Sequence, residues 1–378
     1  MEKSPIFLGA VGNVDGQTGV SLALNEDHSR QRRALGYLFT NNTYVAFDVM
    51  GELCFAEPFG CLDQASVTEW STSVINVFIA AAWTQGIRRL SGVGTWLESL
   101  LIKVLVPAKA VEWRKTHLDN SRQKTLARLS SGDRDHPDFL CQIIMKNEMK
   151  KSLSQTEIVL NMALFISAGT DTTATALTGW TYYICTHPAV YRRLVNEVRV
   201  AFHSTDDIKW ENVKNLRYLE ATLNEAIRLF PPSAASQQRI VPAGGATIDG
   251  YYVPAGKTVA VSPWAATRST LNFHEPDLFR PERWLGEGDE YADDHLNASL
   301  PFGTGPRVCI GRNLAYMEMR LITAHLLWHF DMKLDLTEHR DDNAVWGLNG
   351  RMKPVKVFHS TMKPELWVTL QSLEHAAN

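Results

Sequence analysis

Pro301-Phe302-Gly303-Thr304-Gly305-Pro306-Arg307-Val308-Cys309-Ile310-Gly311 sets one cysteine in a loop of glycine and proline, and an apolar-periodic segment from Arg312 to His329 follows at once. Within it Leu314, Met317, Leu321, Ala324 and Trp328 recur at helical spacing. Cys309 is therefore expected just ahead of a helix N-terminus, where unpaired backbone N–H groups and the helix dipole favour an anion. Arg307 stands close by in the loop, and both effects favour the thiolate. Such a sulfur could be a nucleophile or a metal ligand. The bland alternative is a buried structural cysteine. The glycines allow positive φ and a close approach of the backbone to a bulky partner.

The surrounding composition narrows the choices. The chain has 378 residues, 45% of them hydrophobic, which is ample for a large buried core, and its net charge of −3 gives no reason to expect nucleic acid. Five cysteines, odd in number and widely spaced, do not make a disulfide framework. Cys54, Cys61, Cys141 and Cys185 read as buried thiols in a reducing compartment. Gly303 and Gly305 begin a G-x-G-x-x-G, but Val308 holds the third place, and no G-x-x-x-x-G-K occurs, so nucleotide cradles are excluded. No signal peptide or membrane span is legible. The apolar segment 96–108 carries Glu98 and Lys103 and is too short to cross a bilayer. It reads as a packed amphipathic helix, with a helix lying on a membrane surface as the alternative.

Along the chain the pattern is mostly helical. A short basic helix is expected from 28 to 38, then apolar helical stretches at 44–54 and 65–84, with Gly86, Gly92 and Gly94 breaking the pattern. Helices are expected at 111–129 and 139–149. Ser154-Gln155-Thr156-Glu157 has the form of a capping box, and no proline interrupts the next thirty or so residues to Cys185, so one helix of about 45 Å is expected. Pro188 suits the first turn of another helix, with an apolar stripe of Val190, Leu194, Val195, Val198 and Phe202. The helix at 216–230 stops at Pro231-Pro232. Short β-like runs follow at 239–241, 246–248, 251–253 and 258–261, and further strand-like ends at 332–336, 352–358 and 366–370. The sum is a mainly α fold with a small β portion. No linker divides it, so 1–378 reads as a single domain.

Two helical positions carry chemistry. Ala168-Gly169-Thr170-Asp171-Thr172-Thr173 lies inside the long helix, although aspartate and threonine compete there for backbone hydrogen bonds. Such a run marks a distortion, an exposed polar turn or a functional site. Glu225-Ala226-Ile227-Arg228 puts a carboxylate and a guanidinium on one helix face, ordinarily a solvated surface pair.

Taken together, these stretches resemble the cytochrome P450 family. Phe302, Gly305, Arg307, Cys309 and Gly311 match its haem-binding loop, 168–173 its distal-helix signature, and Glu225 with Arg228 its Glu-x-x-Arg. Pro281-Glu282-Arg283-Trp284 matches its Pro-Glu-Arg-Phe/Trp element. The resemblance is greatest to microsomal-type fungal enzymes of secondary metabolism. It implies the cytochrome P450 fold, haem b, and Cys309 as the axial thiolate ligand of the iron. It further implies that Gly169 leaves room for dioxygen, that the Thr172 hydroxyl donates to it, and that Asp171 relays protons. Glu225, Arg228 and Arg283 would form a buried brace for the cysteine loop, in which bidentate arginine geometry is needed. Arg239 and Arg307 are the implied propionate ligands. Glu26-Asp27-His28-Ser29-Arg30-Gln31-Arg32-Arg33 resembles the family's basic helix, which adds His28 and Arg32.

The implied function is a haem-thiolate monooxygenase acting on an apolar small molecule with O2 and electrons from NADPH-cytochrome P450 reductase, at the cytosolic face of the endoplasmic reticulum. Arg307, Arg312 and Arg320 are candidates to face an acidic redox partner, with helix-face solvation as the other account of Arg320. Two departures stand against the pattern. The family's membrane anchor, hinge and first helices and sheet have no counterpart before Met1, so the fold is expected to be incomplete at the N-terminus and the protein, lacking its anchor, could be cytoplasmic. The basic helix also runs almost directly into Asn41-Asn42-Thr43, where the family has one or two more helices, so an internal loss is expected after 28–40. The alternative reading is a truncated, inactive protein that binds haem weakly or not at all.

Overall fold

The computed structural model describes residues 2–3, 46–59, 68–132, 135–149, 152–334, 346–347, 352–353, 355–358, 360–362 and 366–373. The expected basic helix with His28 and Arg32, and Cys61, lie outside them. Apolar periodicity and caps set the helices: α1 Ala46–Phe55, α2 Glu69–Ser91, α3 Trp96–Leu105, α4 Ala108–Ser131, α5 Phe139–Met149, α6 Gln155–Thr186, α7 Pro188–Ala201, α8 Trp210–Val213, α9 Arg217–Leu229, α10 Pro263–Thr267 and α11 Arg312–His329. Short strands make the small β portion: β1 Glu2–Lys3, β2 Arg239–Ile240, β3 Ala246–Ile248, β4 Tyr251–Val253, β5 Thr258–Val259, β6 Phe330–Leu334 and β7 Val368–Ser372. The chain is thus mainly α, as its periodicity implies.

Local chemistry explains the boundaries. The capping box that opens α6 forms in both directions: Ser154 N–H donates to Glu157 at 2.8 Å, and Glu157 N–H to the Ser154 hydroxyl at 3.2 Å. Pro188 takes the first turn of α7, and Val190, Leu194, Val198 and Phe202 bury the expected stripe. Glu197 of α7 caps α9 from outside, accepting from the N–H groups of Tyr218 and Leu219 at 2.8 Å each. Gly86 does not break α2, which continues to Ser91 and stops at Gly92 with φ 78°. One glycine inside a packed helix costs only about 1 kcal/mol, which tertiary burial outweighs. Among the described residues of the stretch 352–358, Val357 makes an isolated bridge to Thr361.

The chain divides into two compact units. The first, Met1–Asp171 with Ser236–Val261, holds α1 to α5, the N-terminal half of α6, and two small antiparallel sheets. In one of these, β2 lies between β1 and β5, with Arg239 opposite Lys3 on one side and Val259 on the other. In the other, Ile248 pairs with Tyr251 across an Asp249-Gly250 hairpin turn. Its helical core contains a buried histidine, His117. The backbone carbonyl of Ala163 can only accept, so His117 Nε2 carries the proton and donates to it at 2.9 Å, while Nδ1 accepts from Trp70 Nε1 at 3.2 Å. Burial pushes the His117 imidazole down to about 4, against the opposing bond to Ala163.

The second unit, Thr172–Ala235 with Ser262–Asn378, packs the C-terminal half of α6 with α7, α9 and α11 around Trp180, Tyr182, Leu194, Leu223, Phe230 and Leu327. Trp180 Nε1 donates to Thr222 Oγ1 at 3.0 Å, so even the largest side chain in this core has its polar atom satisfied. The antiparallel β6–β7 ribbon pairs Phe330 with Ser372 and Leu334 with Val368. Cys54 and Cys141 are buried and Cys185 is partly so, as their apolar surroundings suggest. Among the described residues no helix is long and apolar enough to cross a membrane.

Candidate haem site

The cysteine loop folds as its glycines allow. Gly303 and Gly305 take φ 69° and 67°, a region closed to most side chains. A short 3-10 turn, Gly305–Arg307, then reverses the chain. The Cys309 N–H donates to the Phe302 carbonyl at 2.8 Å and closes the loop on itself. Gly311 is the N-cap of α11, so Cys309 stands just ahead of that helix N-terminus, and it is exposed. A structural cysteine would be buried. This one is exposed, on a loop closed by its own backbone hydrogen bond.

A polar cluster on α9 and the turn that follows Arg280 has almost no access to solvent. Glu225 and Arg228 of α9 are each 0% exposed, and Arg283 of the 3-10 turn Pro281–Leu285 is 2% exposed. Glu225 Oε1 accepts from Arg228 at 2.8 Å, Arg283 Nε at 3.1 Å and the Arg280 N–H at 3.0 Å; Oε2 accepts from Arg228 Nε and Trp284 Nε1 at 2.8 Å each. Arg228 uses its remaining N–H groups on the carbonyls of Thr267, Pro276 and Leu278, so all five of its donors are satisfied. Arg283 also holds Asp294 and the His274 carbonyl, and the ring of Phe273 lies 4.8 Å from the Arg228 guanidinium. Burial alone would raise the Glu225 pKa, but the charges and bonds of Arg228 and Arg283 hold it below the ordinary carboxylate value. The spacing on α9 shows Glu225 with Arg228; the indole of Trp284 and the carboxylate of Asp294 are further partners that sequence reasoning leaves without a role.

The run 168–173 is helical throughout α6, with no break at its threonines. Asp171 is buried and Thr172 half-buried. At Gly169 a Cβ would lie 2.7 Å from Met50 Sδ of α1, so the close approach of that helix accounts for the glycine. Thr173 points elsewhere, donating to Glu318 Oε2 of α11 at 3.2 Å. Glu318 is 2% exposed, and its other oxygen has no hydrogen-bond partner among the described residues. Burial pushes its carboxyl up to about 8, with only the Thr173 bond opposing. Nothing in the sequence marks Glu318 as more than one polar residue on an amphipathic helix.

The remaining candidates fall in different places. Arg239, on β2, donates only to the Gln238 carbonyl and Gln237 Oε1, and among the described residues it has no acidic partner. Burial lowers its pKa from the ordinary guanidinium value. Arg307 closes the 3-10 turn beside Cys309, and Arg312 is exposed at the start of α11. Arg320 does neither of the things its sequence position suggests. It is 8% exposed and ion-paired with Glu220 of α9, so it offers no free charge to a partner and no solvated face.

An exposed cysteine at a helix N-terminus is a donor that fits haem iron, and the same unit holds the buried glutamate–arginine lock. The chain belongs to the cytochrome P450 family of haem-dependent monooxygenases: the family model described as Cytochrome P450 matches residues 27–357. Among curated proteins it is similar to the cytochrome P450 monooxygenase aba2 of Botryotinia fuckeliana (strain B05.10), 55% identical over 409 aligned positions, covering 98% of this chain and 77% of the relative. It is 48% identical over 413 positions to the cytochrome P450 monooxygenase ABA2 of Pyricularia oryzae (strain 70-15), covering 99% and 78%. A more distant likeness, 39% over 329 positions, is to the cytochrome P450 monooxygenase efuB of Hormonema carpetanum, covering 87% and 62%. The first two alignments each have more positions than the 378 residues of this chain, so each opens gaps in it.

Proposed function

We propose that this protein is a haem-thiolate monooxygenase that inserts one oxygen atom from O2 into an apolar small molecule of secondary metabolism. The observation that carries the reading is the exposed Cys309 on a loop closed through the Phe302 carbonyl at the N-terminus of α11. Haem b, when bound, supplies the iron at which dioxygen is activated. Cys309 would hold it as the axial thiolate. Arg239 and Arg307, with His28 and Arg32, would take its propionates through charge-assisted hydrogen bonds. The Thr172 hydroxyl would hold a hydrogen bond on the oxygen side, and Asp171 would pass protons to it from solvent. Glu225, Arg228 and Arg283 would brace the cysteine loop indirectly, through the turn Pro281–Leu285. The whole chain, 1–378, is read as one haem domain. Electrons would come from NADPH-cytochrome P450 reductase, whose approach Arg312 can favour but the paired Arg320 cannot.

Peripheral membrane contact would belong to the same reading. Leu90, Trp96, Leu100 and Val104, on α2 and α3, are exposed, an arrangement suited to peripheral contact with the cytosolic face of the endoplasmic reticulum. A second reading, an inactive remnant that takes up little haem, is favoured by the gaps the alignments open in this chain and by the expected internal loss after 28–40. The reduced carbon monoxide difference spectrum of the purified protein decides between them. A Soret band at the thiolate-ligated position supports the monooxygenase, and no haem uptake supports the remnant. Thr172→Ala is then expected to uncouple oxygen consumption from product formation; unchanged coupling removes Thr172 from the proton path.

A further inference from the structure

Among the described residues, the hydrogen bonds of the buried lock at Glu225 reach the turn 281–285 and not the cysteine loop itself. A different side chain makes that connection. Tyr316 lies on the second turn of α11, and its ring sits 5.1 Å, centroid to centroid, from the ring of Phe302. Phe302 is the residue whose carbonyl receives the Cys309 N–H at 2.8 Å. On its other side the Tyr316 hydroxyl donates to Asn224 Oδ1 at 2.8 Å. Asn224 precedes Glu225 on α9, and successive helical side chains point about 100° apart. One helix therefore serves both supports, Glu225 toward the 3-10 turn and Asn224 toward α11.

The tyrosine has little freedom to leave this position. The guanidinium groups of Arg312 and Arg320 lie 5.9 and 5.6 Å from its ring centroid, within cation–π range. Arg320 is itself pinned by Glu220 and lies 5.7 Å from the Trp210 ring. Burial raises the phenol pKa, which keeps the hydroxyl protonated as a donor.

We propose that Tyr316 is a positioning residue for the Cys309 loop: anchored on α9 through Asn224, it holds Phe302, and through the Phe302 carbonyl the backbone of Cys309. This inference rests on the reading of Cys309 as the haem ligand. The chain of contacts is one side-chain hydrogen bond, one ring contact and one backbone hydrogen bond, with no part of the Glu225 lock in it. Removing the phenol hydroxyl should loosen the loop, and removing the ring should loosen it more.

The test uses purified haem-loaded protein and follows, by carbon monoxide difference spectroscopy, how fast the thiolate-ligated form converts to the neutral-thiol form in mild denaturant. Far-UV circular dichroism under the same conditions tracks the helices separately. Tyr316→Phe and Asn224→Leu each remove the same hydrogen bond, and each is expected to shorten the half-life of the thiolate form about two- to tenfold. The double variant should be no worse than either single, since both delete one interaction. Tyr316→Leu, which also loses the ring, should be shortest-lived, with helix content unchanged while the thiolate band is lost. Singles equal to the wild type, an additive double, or loss of the thiolate band only together with the helices would overturn the proposal. If Tyr316→Leu yields no haem protein, the two singles and their double still decide it. A wild-type protein without a thiolate band would instead refute the haem reading, so the two failures are distinguishable.

Discussion

Replacing Glu318 by glutamine should remove a pH dependence of stability that the wild type carries. The carboxyl is 2% exposed and accepts one hydrogen bond from Thr173, and among the described residues Oε1 has no partner. Burial raises its pKa from 4.5 to about 8 in the folded chain, whereas an unfolded chain solvates it normally. The folded state thus binds the proton more tightly. The associated stability is fully present below the unfolded pKa and is lost as pH rises through the folded one. Between pH 5 and 8 the loss amounts to about 3 to 4 kcal/mol, at 1.36 kcal/mol for each pKa unit. Glutamine has nearly the same shape and never ionises, so Glu318→Gln lacks this term at every pH. Urea unfolding of both proteins at pH 5, 6.5 and 8 measures it, because the other titrating groups cancel in the difference. The variant should gain on the wild type steadily as pH rises. Parallel stability curves, or a wild type that gains on the variant at alkaline pH, would show that Glu318 is not held neutral by burial.

Other changes have equally definite outcomes. Arg228→Ala leaves Glu225 buried with two fewer charge-assisted bonds, and urea unfolding should show a loss of about 3 to 5 kcal/mol together with loss of haem uptake; Arg228→Lys should not rescue it, because an ammonium cannot fill five fixed donor positions. His117, pushed down to about 4 in the fold, contributes stability that is present above its unfolded pKa and is lost as pH falls from about 6.5 toward 4; the wild type should lose about 3 kcal/mol more than His117→Leu over that range, and equal acid slopes would refute it. Gly169→Ala brings a Cβ to 2.7 Å from Met50 Sδ and should cost about 1 kcal/mol by thermal unfolding, with partial recovery on pairing it with Met50→Val.

Much of the site was legible because its parts are local in sequence. The loop glycines, the cysteine and the helix after them are contiguous, and their conformations follow from φ preferences and apolar spacing. Glu225 and Arg228 share one helical face, so their pairing needed only the α-helical repeat. Long helices were equally clear: α6 runs from its capping box to the residue before His187, as proline-free periodicity requires. Boundaries set by competition were less so. The sequence of α2 offers a glycine at 86 as a stop, yet packing carries the helix past it to Gly92. The alternation at 352–358 suggests a strand, but a strand needs a partner edge, and among the described residues of that stretch only the bridge from Val357 to Thr361 forms.

What the amino-acid order determined by itself, then, is the kind of local structure and the chemical identity of the motifs: a mainly helical chain, an anion-favouring cysteine loop, and an intrahelical carboxylate–guanidinium pair. Tertiary structure alone decided which of these groups lose water. Whether Arg228 is a surface cation or has all five donors locked depends on carbonyls 39 to 50 positions away. Burial pushes the Glu318 carboxyl up to about 8, with Thr173, 145 positions distant, as its one hydrogen-bond partner among the described residues. Arg320 is withdrawn from the surface by Glu220, and Tyr316 reaches the cysteine loop only through Asn224 and Phe302. Hydrophobic spacing is a property of neighbours along the chain, whereas desolvation and partner choice belong to atoms brought together across it, and those decide what an ionisable group can do.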